Sequence, residues 1–163
     1  MTMVAEAEQM AAELETANHE VIAFVETCTD GQWTTMVTGE DWPVGVVMHH
    51  IALGHLQMID WLGLVRRGEE IAKTAAEIDA DNARHAHDYA GVSRADTVEE
   101  LRRHGATLAQ CIRGFSTDEL AISVSFGPGN GMAVTALQLA PVSARHCRDH
   151  LADARTALES GAT

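Results

Sequence analysis

Lysine is almost missing from this chain: Lys73 is the one lysine among 11 basic residues, which face 24 Asp plus Glu for a formal charge of −13 at pH 7. A surface this acidic repels phosphate backbones and anionic lipid headgroups, so neither nucleic acid nor a membrane is the expected partner. The Ala-rich, Arg-over-Lys balance fits a GC-rich bacterial coding sequence. Aromatic residues make up only 4% and prolines number 3, while hydrophobic residues reach 46%. Apolar content of that kind spreads along helices and argues against an all-β sandwich. Cys28, Cys111 and Cys147 form an odd set with no C-x-x-C pair, which excludes a disulfide framework and a zinc ribbon, and all three are read as reduced and mostly buried. No apolar run approaches the roughly 18 residues of a spanning helix, and MTMVAEAEQM has neither the basic start nor the apolar centre of a secretion signal. One cytoplasmic domain is expected from these 163 residues.

Four segments carry helical periodicity. From Met3 to about Cys28, residues Met10, Leu14, Ala17, Val21 and Val25 recur three and four apart, and Thr29-Asp30-Gly31 ends the run. A second helix is expected to start with Asp41 as N-cap and Pro43 in its first turn, to run through Val47, Ile51, Met58 and Leu62, and to stop at Arg66-Arg67-Gly68. The third opens on a capping box, Thr97 to Glu100, and continues through Leu101, Leu108 and Ile112 to Arg113-Gly114. The fourth spans about Val134 to Leu158, with Pro141 expected to kink it or delay its start. Between Gly68 and Asp96 runs a polar connector, with Ile71, Ala75 and Ile78 indicating a short helix before Asp81-Asn82. Ile122 to Phe126 alternates as a brief extended segment ahead of the turn Gly127 to Gly131. Four helices with one long crossover describe an all-α four-helix bundle.

Histidine is in surplus, with nine copies, and imidazole is the commonest protein metal ligand. HCRDH puts His146 and His150 four apart on one face of the last helix, where they can grip one ion. An H-x-x-x-H pair alone is a weak signal, because it also arises as a polar boundary. The tandem His49-His50 adds a third imidazole from a facing helix. His50, three residues after Val47, borders the apolar face, whereas His49 lies about 100° away around the helix axis. Antiparallel helices bring His50 level with His150. Three neutral imidazoles leave coordination positions open, as a catalytic zinc site does. By periodicity Asp149 and Asp153 turn elsewhere. His19, His55, His85, His87 and His104 have no partner at useful spacing and are expected to be solvated or at boundaries. Trp33, Trp42 and Trp61 are expected to pack the core or the bundle ends, with Trp42 placed to roof the site. Glu-x-x-His at matched positions, H-E-x-x-H, G-x-S-x-G, a Walker loop and G-x-G-x-x-G are all absent. Cys147 is a neighbour of His146 along the helix rather than a paired nucleophile.

Trp42-Pro43-Val44 with His50 eight residues after the Trp, the IDADN stretch ending at Asn82, TVEELRRH from Thr97, and the terminal HCRDHLADAR together resemble the DinB-like family over nearly the whole chain. The resemblance implies an up-down-down-up bundle with a long crossover between its second and third helices, and a homodimer. It also implies a divalent metal held by one histidine of the second helix and two of the fourth, which map onto His50, His146 and His150. Zinc is favoured, with nickel or iron also accepted, because three histidines discriminate weakly among them. Members of the family include mycothiol-dependent maleylpyruvate isomerase and bacillithiol transferases, in which a metal activates a low-molecular-weight thiol cosubstrate. This chain departs from the isomerase pattern, which has an acidic ligand where His146 stands and a further C-terminal domain. The expected activity is therefore metal-dependent thiol S-transfer to a small-molecule electrophile. The alternatives are a hydrolase using metal-bound hydroxide and a noncatalytic metal- or small-ligand-binding dimer.

Overall fold

The computed structural model describes residues 2–161. Its chain order is α1 (Met3–Thr27), the short α2 (Asp30–Trp33), strands β1 (Met36–Val37) and β2 (Trp42–Pro43), α3 (Val44–Arg66), α4 (Ala75–Asp88), α5 (Arg94–Arg113), the short α6 (Thr117–Leu120), strands β3 (Ser123–Phe126) and β4 (Met132–Thr135), and α7 (Ala136–Ser160). The four long helices are α1, α3, α5 and α7. Helix α1 packs against α5 and α7, and α3 packs against the same two, so α1 and α3 occupy opposite corners.

Paired residues fix the directions. Arg113 reaches Glu8 and Glu15, Arg102 reaches Glu26, and the Asn18 amide donates to the Leu101 carbonyl, so α1 and α5 are antiparallel. His49 meets Glu100, His104 meets the Ala52 carbonyl, and Arg66 meets the Cys111 carbonyl, so α3 and α5 run the same way. At one end of α7 His150 faces His50, and at the other Leu137 and Ala140 gather with Leu62, Ala7 and Met10. Helix α7 is therefore antiparallel to α3 and parallel to α1. The result is an up-down-down-up four-helix bundle whose parallel neighbours α3 and α5 require the long crossover that contains α4.

The core is made by the apolar stripes of the four helices. Leu14, Val21 and Val25 from α1, Ile51 and Leu62 from α3, Leu101 and Leu108 from α5, and Cys147 and Leu151 from α7 are all buried. Each large aliphatic residue removed from water in this way contributes about 1.5–3 kcal/mol. On α7, Ala136, Ala140, Ala144 and Ala154 are also buried, and their small side chains let neighbouring backbones approach.

Several helix boundaries differ from those expected. Asp41 does not cap α3: it sits in the left-handed region at φ 57, in the turn of the β1–β2 hairpin, where Val37 pairs with Trp42 and Met36 with Pro43. An N-cap is extended, and Pro43 (φ −68, ψ 154) has that backbone, without any side-chain cap. Thr97 does not open α5 either. Ser93 does, accepting from the Asp96 amide at 3.0 Å, while Thr97 lies one turn inside, buried, with its hydroxyl donating to the Ser93 carbonyl. Pro141 neither ends α7 nor delays its start at Ala136. The extended segment and its turn form the β3–β4 hairpin.

The largest difference is in the connector. Helix α4 is capped by a Thr74–Glu77 box and continues through Asp81-Asn82, where Asp81 binds Lys73 and Arg84 instead of breaking the helix. Ile71 lies outside that helix and bridges to Phe126 of the hairpin. Gly127 is needed there, since a Cβ would come within 2.6–2.9 Å of the carbonyls of Ile71, Ala72 and Lys73. Among the described residues no helix is long and apolar enough to cross a membrane.

Candidate metal centre

Because α3 and α7 run antiparallel, His50 comes level with the i, i+4 pair His146 and His150. The Nε2 of His146 lies 3.2 Å from Nε2 of His50 and 3.0 Å from Nε2 of His150. The three rings meet edge to face, with centroids 4.4–5.2 Å apart, and offer one nitrogen each to a common point. Burial, then the neighbouring rings, push His50 down to about 3 and His146 to about 2, so both are neutral at pH 7 with lone pairs available.

The arrangement fits a metal ion on two grounds. Tetrahedral Zn–N bonds of about 2.0–2.1 Å place ligand nitrogens roughly 3.3 Å apart, close to the separations found here. The Nδ1 of His150 stands 3.3 Å from Oε1 of Glu40, within ion-pair distance though off the line of a good hydrogen bond. A carboxylate there favours a proton on Nδ1, which leaves the Nε2 lone pair facing the other two rings. Glu40, in the β1–β2 turn, was not visible as a site residue from its spacing. Asp153 also differs from expectation: together with Glu40 and His150 it forms a second, more exposed group whose ligand atoms lie within 4.8 Å of one another. Asp149 is exposed.

The remaining histidines divide into two sets. His19 and His87 are exposed, as expected, but His55, His85 and His104 are buried, contrary to expectation. Each buried ring has found a polar partner that its own helix does not reveal. His55 Nε2 pairs with Asn18 Oδ1 at 3.0 Å, His104 Nδ1 donates to the Ala52 carbonyl at 3.1 Å, and His85 Nε2 meets His49 Nδ1 at 2.7 Å. His49 faces away from the three-histidine cluster, toward Glu100. Cys147 faces His55 at 3.9 Å, and burial pushes its thiol up to about 12, so it rests protonated. All three cysteines are free, with Cys28 and Cys147 buried.

Trp42 packs edge-on against His50 with centroids 5.4 Å apart, which places it beside the cluster as expected, while Trp33 donates to the Val92 carbonyl and Trp61 packs on Phe126. Next to the cluster, between α3 and α4, lies a cleft of about 450 Å³ whose wall includes His50, Gly54, Trp61, Asn82, His85 and Tyr89. A wider groove of about 790 Å³ lies on the α1–α5 side. Its arginines Arg94 and Arg102 are already paired with Asp30 and Glu26, and none of its lining residues is a histidine or cysteine.

The family model described as the DinB superfamily matches residues 13–154. The chain belongs to the DinB superfamily. Among solved structures, one similar to this chain is YfiT from Bacillus subtilis, described as "a probable metal-dependent hydrolase with an unusual four-helix bundle topology". The two share 18% identity and a TM-score of 0.67, over 98% of this chain and 86% of that one, a likeness of fold. No curated protein sequence matches this DinB member.

Proposed function

We propose that His50, His146 and His150 hold one divalent ion, zinc favoured over nickel or iron, and that the protein transfers a low-molecular-weight thiol to a small electrophile. The observation behind this reading is the convergence of three Nε2 atoms, 3.0 and 3.2 Å apart, beside a cleft large enough for a small molecule. A bound ion of this type lowers the pKa of a coordinated thiol and so makes thiolate available at neutral pH. The chain's own part is to keep three uncharged imidazoles in place, so that no ligand charge offsets the ion. Trp42 covers one side of His50, and Gly54 leaves room for the His146 ring. On the cleft wall Asp60, Asp81 and Asp88 outnumber Lys73 and Arg84, which disfavours strongly anionic substrates and suits a neutral or amine-bearing thiol. In the transfer the thiol gives up its proton, the sulfur pair forms the S–C bond, and the leaving group departs with its bonding electrons and takes up that proton from solvent.

The description of YfiT favours a second reading, a metal-dependent hydrolase with the same ligands and no thiol. Two measurements test the pair. Protein purified without a His tag is expected to retain about one equivalent of metal, and the His146→Ala, His150→Ala double variant none; equal metal in both removes the site. A generic electrophile offered with mycothiol, bacillithiol or glutathione is expected to turn over only with thiol and to stall in His150→Ala. Turnover without thiol supports the hydrolase, and metal binding without any turnover leaves a binding protein.

A further inference from the structure

The cleft between α3 and α4 has a definite axis. Its floor is one face of α3, His50, Gly54, Gln57 and Trp61, which is about 16 Å of helix rise. Its opposite wall is α4, which runs antiparallel to α3. At one end His85 packs against His50, and Tyr89 stacks on His49. At the other, Trp61 packs on Phe126, and Ile71, just ahead of α4, bridges to the same Phe126. The cleft therefore leads away from the imidazole cluster toward Trp61. At Gly54 its floor touches the cluster directly, since a Cβ there would meet the His146 ring at 2.9 Å. A space of this length suits an extended molecule whose reacting end sits at His50 and whose remainder lies along the two helices.

The walls define the chemistry of that remainder. Lys73 and Arg84 both pair with Asp81, and Asp88 pairs with His87, so these charges are met within the wall itself. Asp60 is exposed, and solvent screens it. The polar groups left for a ligand are two primary amides. Gln57 on α3 and Asn82 on α4 line the cleft and are half-buried, and among the described residues their side chains have no hydrogen-bond partner in the protein. Measured from the level of His50 and His85, Asn82 lies about 5 Å along the axis and Gln57 about 10 Å. Each amide both donates and accepts, so its counterpart is a neutral group that does both, such as another amide. Leu53 and Leu56 on the same floor offer apolar contact to the links between such groups.

We propose that Asn82 and Gln57 are specificity-determining residues that read two successive amide groups, about 5 Å apart, on the uncharged arm of the thiol whose sulfur reacts at the metal centre. The inference rests on the reading of His50, His146 and His150 as that centre. The probe is pantetheine, an uncharged thiol whose two amides follow one another about 5 Å apart along an extended chain. Its comparison is 2-mercaptoethanol, which has the thiol and no such arm. Calorimetric titration of zinc-loaded protein is expected to show pantetheine binding at least about tenfold more tightly. Gln57→Leu and Asn82→Leu, close to the originals in volume, are each expected to reduce that preference about 3–10-fold, the contribution of one hydrogen bond. Equal affinity for the two thiols, or a preference that survives both substitutions, overturns the proposal and leaves the metal reading standing. A wild type that takes up no zinc overturns the metal reading. The side-chain NH2 resonances of Gln57 and Asn82 in metal-free wild type then decide the arm by itself: millimolar pantetheine is expected to shift both and 2-mercaptoethanol neither. Resonances that pantetheine leaves unmoved overturn the proposal even where a variant does not fold.

Discussion

Two polar knots lie inside the same bundle, five residues apart along α3, and they are closed in opposite ways. The knot at His55 is met by protein on its Nε2 side, where Asn18 accepts from the ring and donates to the Leu101 carbonyl, while the buried Nδ1 of His55 has no partner. The knot at His50 consists of three imidazole nitrogens that face one another, with no carbonyl, amide or hydroxyl among them. The first knot is fully buried and the second half-buried, and they differ further in what remains to be satisfied. A glycine abuts each knot, Gly105 beside Asn18 and Gly54 beside His146.

Acid provides the largest test of this contrast. His50, His55, His85 and His146 have folded pKa values of about 3, 4, 4 and 2, all below the ordinary 6.5. The unfolded chain therefore takes up protons first, and stability that is fully present above pH 6.5 is lost as pH falls, by up to about 1.4 kcal/mol per pH unit for each ring. Urea unfolding of metal-free protein at pH 7, 6 and 5 is expected to show a steep decline, and zinc, which binds only the neutral rings of the folded state, is expected to raise stability at each pH without flattening that decline. A flat profile contradicts the burial of neutral rings.

Next in size is Gly105→Ala. Its Cβ would lie 2.3 Å from Asn18 Nδ2, and Asn18 has no freedom to move without breaking its bonds to His55 and Leu101. A loss of about 2–4 kcal/mol is expected in urea unfolding, with one equivalent of zinc still bound to the folded variant. Gly54→Ala should behave in the opposite way. The new Cβ meets the Cε1–Nδ1 edge of the His146 ring, at 2.9 and 3.2 Å, and the ring can yield. Zinc affinity is expected to drop about tenfold, roughly 1.4 kcal/mol, while metal-free stability holds or rises by up to about 1 kcal/mol from helix propensity. Equal losses of stability in the two variants would erase the distinction between the knots.

The four long helices were legible because each buries a continuous apolar stripe, and HCRDH was legible because i, i+4 spacing is local. What stayed hidden depends on distant partners. Helix α4 buries only His85, so it carries little apolar periodicity, and its Asp81-Asn82 resembled a breaker because the neutralising Lys73 and Arg84 could not be placed. His55, His85 and His104 read as surface residues because their partners Asn18, His49 and the Ala52 carbonyl lie 37, 36 and 52 positions away. Glu40 was missed because a hairpin turn, not a helix face, brings it to His150. Asp41 and Thr97 are good capping residues by type, displaced from that task by a left-handed backbone and by a better-placed Ser93.

Helix α4 also bears on how this scaffold can diversify. It forms one wall of the cleft while standing outside the four-helix core, tied down mainly by α3 and by the strand contact of Ile71 with the distal hairpin. Apart from His85, its cleft-facing residues can be exchanged, or the segment lengthened, without disturbing the imidazoles on α3 and α7. On the proposed metal reading, a bundle of this topology could keep one inorganic centre and accept new reaction partners by rewriting a single detachable panel.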